Sequence, residues 1–391
     1  MKRIGNVRKK FLTRERLMLI TENLVRPSKQ NEWTRAQRQR WQDFLSDYDG
    51  NINRIYYQLR YQVWQAGDFI VFERQEGRKL RVISESMPED LIVDTLFTDC
   101  LMYVFWECKH IIPRDCYGSI PGKGQHELRE KVIRSVHGRK NVMVYVGDTE
   151  KYYPTMRHDV LMDIFRRHIK DAWLLWLCQT MIGRIKGNLS VALGVPSSNP
   201  IGHIYHAELD WKMLVGMKIS GYKRFCDDKI MIHDDANYLH TAARVLRSET
   251  SRLLRQNIKP GWRVLNCTEQ RFSFLGAAIN SHGARMLAQN RRRAERRIRR
   301  RIRQGNATLA LRTWSGIKGG MRNLAVGNLI GYWKEVYPDF FSLLQQARWQ
   351  LDEARHRREW HRRMDRVLTA AVDHRSEINK IIYPDGLADA A

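Results

Sequence analysis

An α+β fold is predicted for this chain of 391 residues. Two observations carry the prediction. Helical periods and short apolar, strand-like runs alternate irregularly, without the strand–helix rhythm of a doubly wound sheet. In addition, 43% of the residues are hydrophobic and 10% aromatic, which supplies a real core and rules out wholesale disorder. The chain shows no internal repeat. At roughly 150 residues per domain, its length suggests two to three domains.

Each element follows from its pattern. Residues 1–50 are polar, basic and rich in Arg, Gln and Trp, and are expected to be helical. Phe69-Ile70-Val71-Phe72 and Leu80-Arg81-Val82-Ile83 are β-branched and aromatic runs separated by Gln75-Glu76-Gly77-Arg78, which is a hairpin pattern. From Pro88 onward, Leu91, Ile92, Leu96, Leu101, Met102, Val104 and Phe105 predict a helix over 88–112. A Gly-rich loop at 117–124 precedes a helix over 125–138. Residues 141–147 read as a buried strand ending at Asp148, and helices are expected over 157–185. Residues 222–232 read as strand, acidic pair, strand. A helical period covers 236–256, a strand pair or turn covers 272–279, and the chain is helical and intensely basic from 290.

Lys plus Arg is 68 against 42 Asp plus Glu, a formal charge of +26. Such a surplus calls for a polyanionic partner or an anionic membrane. No run approaches the ~18 apolar residues of a membrane span, so no membrane is expected and nucleic acid leads. The charged start, Met1-Lys2-Arg3-Ile4, has no apolar stretch behind it, so no secretory signal is expected. The six Cys form no CxxC pair, which argues against structural zinc and for reduced, buried thiols in a cytoplasmic setting.

Two places put carboxylates at the ends of apolar strands: Val144-Tyr145-Val146-Gly147-Asp148 and Phe225-Cys226-Asp227-Asp228 before Lys229-Ile230-Met231-Ile232. A tight hairpin would hold Asp227 and Asp228 together at a sheet tip, where unpaired acids repel unless a cation joins them. Mg²⁺ takes oxygen ligands of this kind, and two such ions about 3.5–4 Å apart drive in-line attack at phosphate. Alone, an Asp-Asp pair between strands is a weak signal that reads first as an ordinary polar turn.

The order of several landmarks raises the first reading. Phe225-Cys226-Asp227-Asp228 resembles the [Y/F]xDD motif of reverse transcriptases. Asp148 with Tyr152-Tyr153-Pro154 resembles their first catalytic motif, and Phe274-Leu275-Gly276 resembles their primer grip. Tyr117-Gly118-Ser119 through Lys123-Gly124-Gln125-His126 is similar to a fingers motif of bacterial reverse transcriptases, and Arg312-Thr313-Trp314-Ser315-Gly316 resembles a thumb segment. The landmarks span roughly 70–345. The chain resembles the enzymes of diversity-generating retroelements and the related defence-associated reverse transcriptases. It departs from them at Leu193-Gly194-Val195-Pro196-Ser197-Ser198-Asn199, where Asn199 stands in place of Gln, and at Asp90, which is followed by Leu91 and not Arg.

The resemblance implies a right-hand polymerase: a basic helical segment at 1–50, fingers at 51–140, a palm with an antiparallel sheet at 141–280, a helical thumb at 281–345 and a basic helical extension at 346–391. It implies RNA-directed DNA polymerase activity with two Mg²⁺ ions, or Mn²⁺, held by Asp148, Asp227, Asp228 and the Thr149 carbonyl. Tyr153 would exclude the ribose 2′-hydroxyl, with Tyr152 as a core partner. Arg81, or Lys79 on the same strand face, would bind the triphosphate, because guanidinium makes bidentate phosphate contacts. Asn199 would lie near the nucleotide, and Arg263, or else Lys259, would serve the pyrophosphate. Lys123 would touch template or phosphate, or simply build a turn. Residues 291–303 carry nine Arg in thirteen positions. Arg292, Arg296, Arg297, Arg300 and Arg301 are expected on the nucleic-acid backbone, since like charges at this density destabilise a free helix.

Expected partners are an RNA template, particularly a structured non-coding RNA, a DNA product, dNTPs and an accessory protein or second polymerase subunit, in a bacterial cytoplasm. Anti-phage defence is favoured over diversification because of Asn199. The alternatives are a non-catalytic polymerase-like RNA-binding scaffold, or a basic RNA-binding protein of another fold whose acids are turns.

Overall fold

In the computed structural model, which describes residues 3–76, 79–320 and 338–382, the predicted mixture of helices and strands is present. The chain divides into two units, Met1–Leu275 with Ile279–His282, and Gly276–Ala278 with Gly283–Ala391.

The first unit opens with five helices: α1 (Val7–Phe11), α2 (Arg14–Leu24), α3 (Pro27–Gln30), α4 (Arg35–Ser46) and α5 (Tyr48–Arg60). Local chemistry starts them. Thr34 and Gln37 form a capping box, the Thr34 hydroxyl accepting from the Gln37 amide at 3.1 Å and the Gln37 side chain accepting from the Thr34 amide at 2.8 Å. Their apolar faces, including Leu17, Ile20, Trp41, Phe44, Ile52, Ile55 and Leu59, are buried in the same core as the rest of the unit. The hairpin expected at 69–83 forms as β1 (Ile70–Glu76) and β2 (Lys79–Glu85), with Gly77 and Arg78 outside the described residues. Helix α6 (Pro88–Met102) starts on a proline and buries Ile92, Val93, Leu96, Phe97, Cys100 and Leu101, so it runs through the core and is not amphipathic. It continues as a wider turn over Tyr103–Cys108.

A five-stranded sheet positions the acidic residues. Its strands are β3 (Cys116–Tyr117), β4 (Met143–Asp148), β5 (Lys223–Phe225), β6 (Asp228–His233) and β7 (Arg263–Asn266), in the spatial order β3-β5-β6-β4-β7. All neighbours are antiparallel except β3 with β5. The short strands β3 and β7 have no pattern of their own and form only by pairing along edges. Helices α7 (Gln125–Val136), α8 (His158–His168), α9 (Ala172–Ile182), α10 (Ser198–Trp211) and α11 (Ala236–Leu254) complete the unit, α11 packing on β4, β6 and β7. Short strands β8 (Phe272–Phe274), β9 (Ala277–Asn280) and β10 (Gly283–Met286) carry the chain from the first unit into the second.

The second unit packs α12 (Ala288–Arg303), α13 (Ala307–Gly320) and α14 (Pro338–Ile382) against one another. Ala294, Ile298 and Ile302 recur on one face of α12 and are buried with Ala307, Ala310, Trp314, Leu344 and Ala347. Parts of the segments expected at 281–345 and 346–391 lie outside the described residues. Among the described residues no helix is long and apolar enough to cross a membrane.

Candidate active site

The register of the sheet assembles the site. Asp148, the last residue of β4, lies opposite Asp228, the first of β6, and Phe225 lies opposite Asp228 across the β5–β6 hairpin. Cys226 and Asp227 are therefore the two residues of a tight turn. Cys226 adopts φ +50°, a left-handed conformation that costs a non-glycine residue and needs outside support. The support is visible. The Cys226 amide donates to the Tyr117 carbonyl at 3.3 Å, and the Thr149 amide donates to the Asp227 carbonyl at 3.3 Å. The Arg224 guanidinium donates to the Cys226 carbonyl at 3.0 Å, and the Lys229 ammonium donates to the Asp227 carbonyl at 3.3 Å. Gly118 is part of the same support: its φ is +96°, and a Cβ there would lie 2.7 Å from the Cys226 sulfur.

Arg224 and Lys229 are both buried, which is costly for cations unless they are paired. Arg224 meets Asp210 of α10 through three contacts of 2.6–3.0 Å, and Asp210 also accepts from Tyr222 at 2.5 Å and from Cys116 at 3.1 Å. Lys229 donates to the Thr149 hydroxyl; burial, then the nearby Arg224 charge, lowers its pKa to about 8.

The carboxylates themselves are in conflict. Burial, then the charges of Asp227 and Asp148, raise the Asp228 pKa to about 7. Asp227 is raised by burial and then by Asp148. One Asp148 oxygen pairs with the Lys259 ammonium, and its other oxygen is buried without a hydrogen-bond partner. An oxygen-liganded cation would relieve the mutual repulsion and satisfy that orphaned oxygen, so Asp148, Asp227 and Asp228 are the residues that could hold one. Among the described residues no group of three or more acidic, His or Cys side chains is already assembled as a metal cage. Lys259 occupies one Asp148 oxygen and leaves the other for a cation.

Beside the acids lies an open cavity of about 670 Å³, lined by Arg74, Arg81, Ser119, Tyr153 and Asn199 and by the 193–198 segment. Arg81 pairs in register with Arg74, so the ribbon presents two guanidinium groups to this space. The Tyr153 hydroxyl donates to the Asn199 amide oxygen at 2.5 Å, and the Asn199 amide nitrogen donates to the Ser119 hydroxyl at 2.8 Å. Burial raises the Tyr153 pKa, with smaller effects from Cys226, Asp227, Arg224 and Arg81. Tyr152, its neighbour, is buried against His206 at 4.7 Å between ring centroids. Gly194, at φ +112°, closes the cavity wall: a Cβ there would meet the Ile83 side chain and the Ser84 carbonyl, both at 2.8 Å. The Ser84 amide donates to the Leu193 carbonyl at 2.7 Å, which docks this segment onto β2.

Sequence reasoning and structure differ at several residues. Lys259 contacts Asp148, whereas Arg263 sits on β7 opposite Val146, two residues short of Asp148. Lys123 is half-buried and engaged by its own chain: it donates to the Arg114 carbonyl and lies 4.9 Å from the Tyr117 ring centroid. Arg301 donates to the Leu309 carbonyl at 2.9 Å and is half-buried, while Arg292, Arg296, Arg297 and Arg300 are exposed on α12 of the second unit. Thr149 follows Asp148 as expected and is buried. The Lys79 side chain lies outside the described residues. The structure adds Arg74, Ser119, Arg224, Asp210 and Lys229. Arg74 has a signal in the sequence, since a turn centred on Gly77-Arg78 pairs 74 with 81. Asp210 has none, because its partner is on another element.

No protein-family model and no curated protein matches the chain in sequence. Among solved structures it is similar to telomerase from Candida albicans in complex with a fragment of telomeric RNA, at 12% identity and a TM-score of 0.43, over 58% of this chain and 47% of that one. It is also similar to apo telomerase from Candida tropicalis, at 10% identity and a TM-score of 0.44, over 57% and 49%. The chain spans about half the length of these structures.

Proposed function

We propose that the chain is a nucleotidyl-transferring polymerase, an RNA-directed DNA polymerase in which the five-stranded sheet acts as palm, the β1–β2 ribbon as part of the fingers and α12–α14 as thumb. The observation that carries this reading is the Asp148–Asp228 register. It brings two carboxylates from neighbouring strands, with Asp227 of the adjoining turn, to one sheet end beside a cavity with two arginines. Mg²⁺ held by Asp148, Asp227 and Asp228 would supply activation of a primer hydroxyl and neutralisation of charge at phosphate. The chain's own residues do the rest. Arg81 and Arg74 bind triphosphate oxygens, which guanidinium groups contact in pairs. Tyr153, held by Asn199, packs beneath the sugar and leaves no room for a 2′-hydroxyl. Lys259, once released from Asp148, is placed to give a proton to the departing pyrophosphate. The exposed arginines of α12 neutralise backbone phosphates without reading sequence.

Within that activity we place the chain with bacterial enzymes that work on a partner non-coding RNA in anti-phage defence, because Asn199 stands where the diversification enzymes carry Gln. One observation favours a non-catalytic scaffold instead, namely Lys259 occupying the Asp148 carboxylate. Primer extension separates the two. Asp227→Asn or Asp148→Asn should lower magnesium-dependent nucleotide addition by a factor on the order of 10²–10³ or more, with RNA binding near that of the parent. Extension at the parental rate by either variant refutes the site.

A further inference from the structure

A second region of the first unit has the chemistry of a ligand site and shares no residue with the cavity beside the acids. Three chain segments build it. The N-terminal strand-like residues zip along the end of α8: the Ile4 amide donates to the His168 carbonyl at 2.9 Å, and the Lys170 amide donates to the Ile4 carbonyl at 2.6 Å. Arg3 and Lys170 both line the cavity formed there. Arg8 reaches the C-terminal end of α5, donating to the Arg60 carbonyl at 2.8 Å, and Trp173 donates to the Leu59 carbonyl at 2.8 Å. The result is an open cavity of about 640 Å³ with four cationic side chains in its wall, Arg3, Arg8, Lys9 and Lys170. Asp171, the one acid among the described residues that line it, is committed locally: it accepts from the Leu174 amide as the cap of α9 and from the Arg8 amide, both at 3.1 Å.

Two exposed tyrosines lie at the end of α5 whose Leu59 and Arg60 carbonyls meet this basic cavity. Gln62 lines it, and the residue before it, Tyr61, stacks on Tyr57 one helical turn back, with centroids 6.5 Å apart and ring planes within 11°. Tyr61 and Tyr57 are 67% and 51% exposed, so both are open to a partner. Cations that follow a phosphate backbone, next to parallel exposed rings, are what an unpaired strand recognises: phosphates pair with the charges and bases stack on the rings. A duplex hides its base faces and would use only the charges.

We propose that Tyr57 and Tyr61, with Arg3, Arg8, Lys9 and Lys170, form a binding surface for an unpaired nucleic-acid strand, separate from the acidic cluster. The surface offers a way to hold a single-stranded part of a nucleic-acid partner while other parts of the molecule engage elsewhere. It does not depend on the polymerase reading, because it is a matter of binding alone.

The test uses the full chain and an unstructured oligonucleotide of about 12 nucleotides, within the span such surfaces cover. Ribose and deoxyribose probes carrying a photoreactive base are crosslinked and the attachment sites mapped. Crosslinks should fall on Tyr57 or Tyr61 with at least one of the two probes. Affinities are measured with Arg292, Arg296, Arg297 and Arg300 changed to Gln, so that α12 does not mask the site. There, Tyr57→Ala with Tyr61→Ala should weaken binding about tenfold or more, and Tyr57→Phe with Tyr61→Phe should retain it. Arg3→Gln, Lys9→Gln and Lys170→Gln together should reduce the slope of log K against log salt by about 0.7 per lost phosphate contact. The tyrosine pair is read by oligonucleotide binding and Asp227→Asn by nucleotide addition, so failure of this proposal and failure of the polymerase reading are told apart. The proposal is overturned if crosslinks map only elsewhere, or if the Ala pair binds as tightly as the parent. It is equally overturned if inorganic polyphosphate displaces the oligonucleotide as well as unlabelled oligonucleotide does at equal charge, which would leave a simple anion patch.

Discussion

At the scale of single residues, the site depends on side chains whose roles follow from what they touch. Tyr153 faces the open cavity while Tyr152 is buried, so the two rings separate into a candidate sugar contact and a core residue. Tyr153→Ala should raise incorporation of ribonucleotides relative to deoxyribonucleotides, measured as a ratio with purified protein. Tyr153→Phe keeps the ring, loses the bond to Asn199 and should retain most of the selectivity. An unchanged ratio in the Ala variant would move the gate elsewhere. Arg224 is a different case, since it touches only protein. Its removal strands the buried Asp210 charge. Arg224→Met alone should therefore cost about 3–5 kcal/mol in denaturant unfolding, and adding Asp210→Leu should recover much of that loss. A double variant no more stable than the single one would show that the pair is not the reason for the cost.

At the scale of elements, α12 illustrates how one helix serves two demands. Its buried stripe of Ala294, Ile298 and Ile302 docks on the second unit's core, and the remaining positions are given over to arginine. The charges can therefore be removed without touching the packing. Replacing Arg292, Arg296, Arg297 and Arg300 by Gln should leave stability near the parental value. The same change should weaken binding to template–primer duplexes of every sequence alike, flattening the salt slope by roughly 0.9 per lost contact. Loss of affinity for a single RNA only would mean that the helix reads one folded partner. Arg301 is left out of this set because it holds the Leu309 carbonyl. The β1–β2 ribbon makes the complementary point. Its arginines reach the cavity because Gly194 lets the 193–198 segment approach Ser84 within a distance that any Cβ would block.

At the scale of the whole molecule, folding stability is linked to pH through buried groups that resist their usual charge. Asp94 sits fully inside the first unit, accepting from the Ser197 amide at 3.0 Å and the Ser197 hydroxyl at 2.7 Å, and burial raises its pKa to about 6. His203 is lowered to about 3, first by burial and then by Arg224. The signs are opposite. The raised Asp94 favours the folded state below pH 4, an advantage lost as pH rises through 6. The lowered His203 favours the folded state above its unfolded pKa near 6.5, an advantage lost as pH falls. Asp94→Asn removes only the first effect. Between pH 7 and pH 4 it should therefore lose more stability than the parent does, by up to about 3 kcal/mol, the value of a shift of roughly two units. Denaturant titrations at both pH values measure this, and parallel losses would show that Asp94 does not titrate in the folded protein.

Read by itself, the sequence determined the elements with strong local signals and the residue types of the candidate site. The hairpin at 69–83, the strand ending at Asp148, the hairpin around Asp227-Asp228 and the basic helix after 290 are legible, because periodicity, β-branching and charge density are properties of neighbours along the chain; the register shifts the second turn to Cys226-Asp227 and puts Asp228 on β6. Only the tertiary structure decided which distant residues meet. It placed Lys259 on Asp148, gave Arg224 its partner Asp210, and committed Lys123 and Arg301 to carbonyl oxygens. The edge strands β3 and β7 exist only through pairing, and the basic cavity near Tyr61 exists only because residues 3–9, 60–62 and 170–173 converge. The physical reason is the same in each case. A buried charge or an unpaired backbone group must be satisfied, and the satisfying partner is fixed by packing and register in space, which no local run of residues encodes.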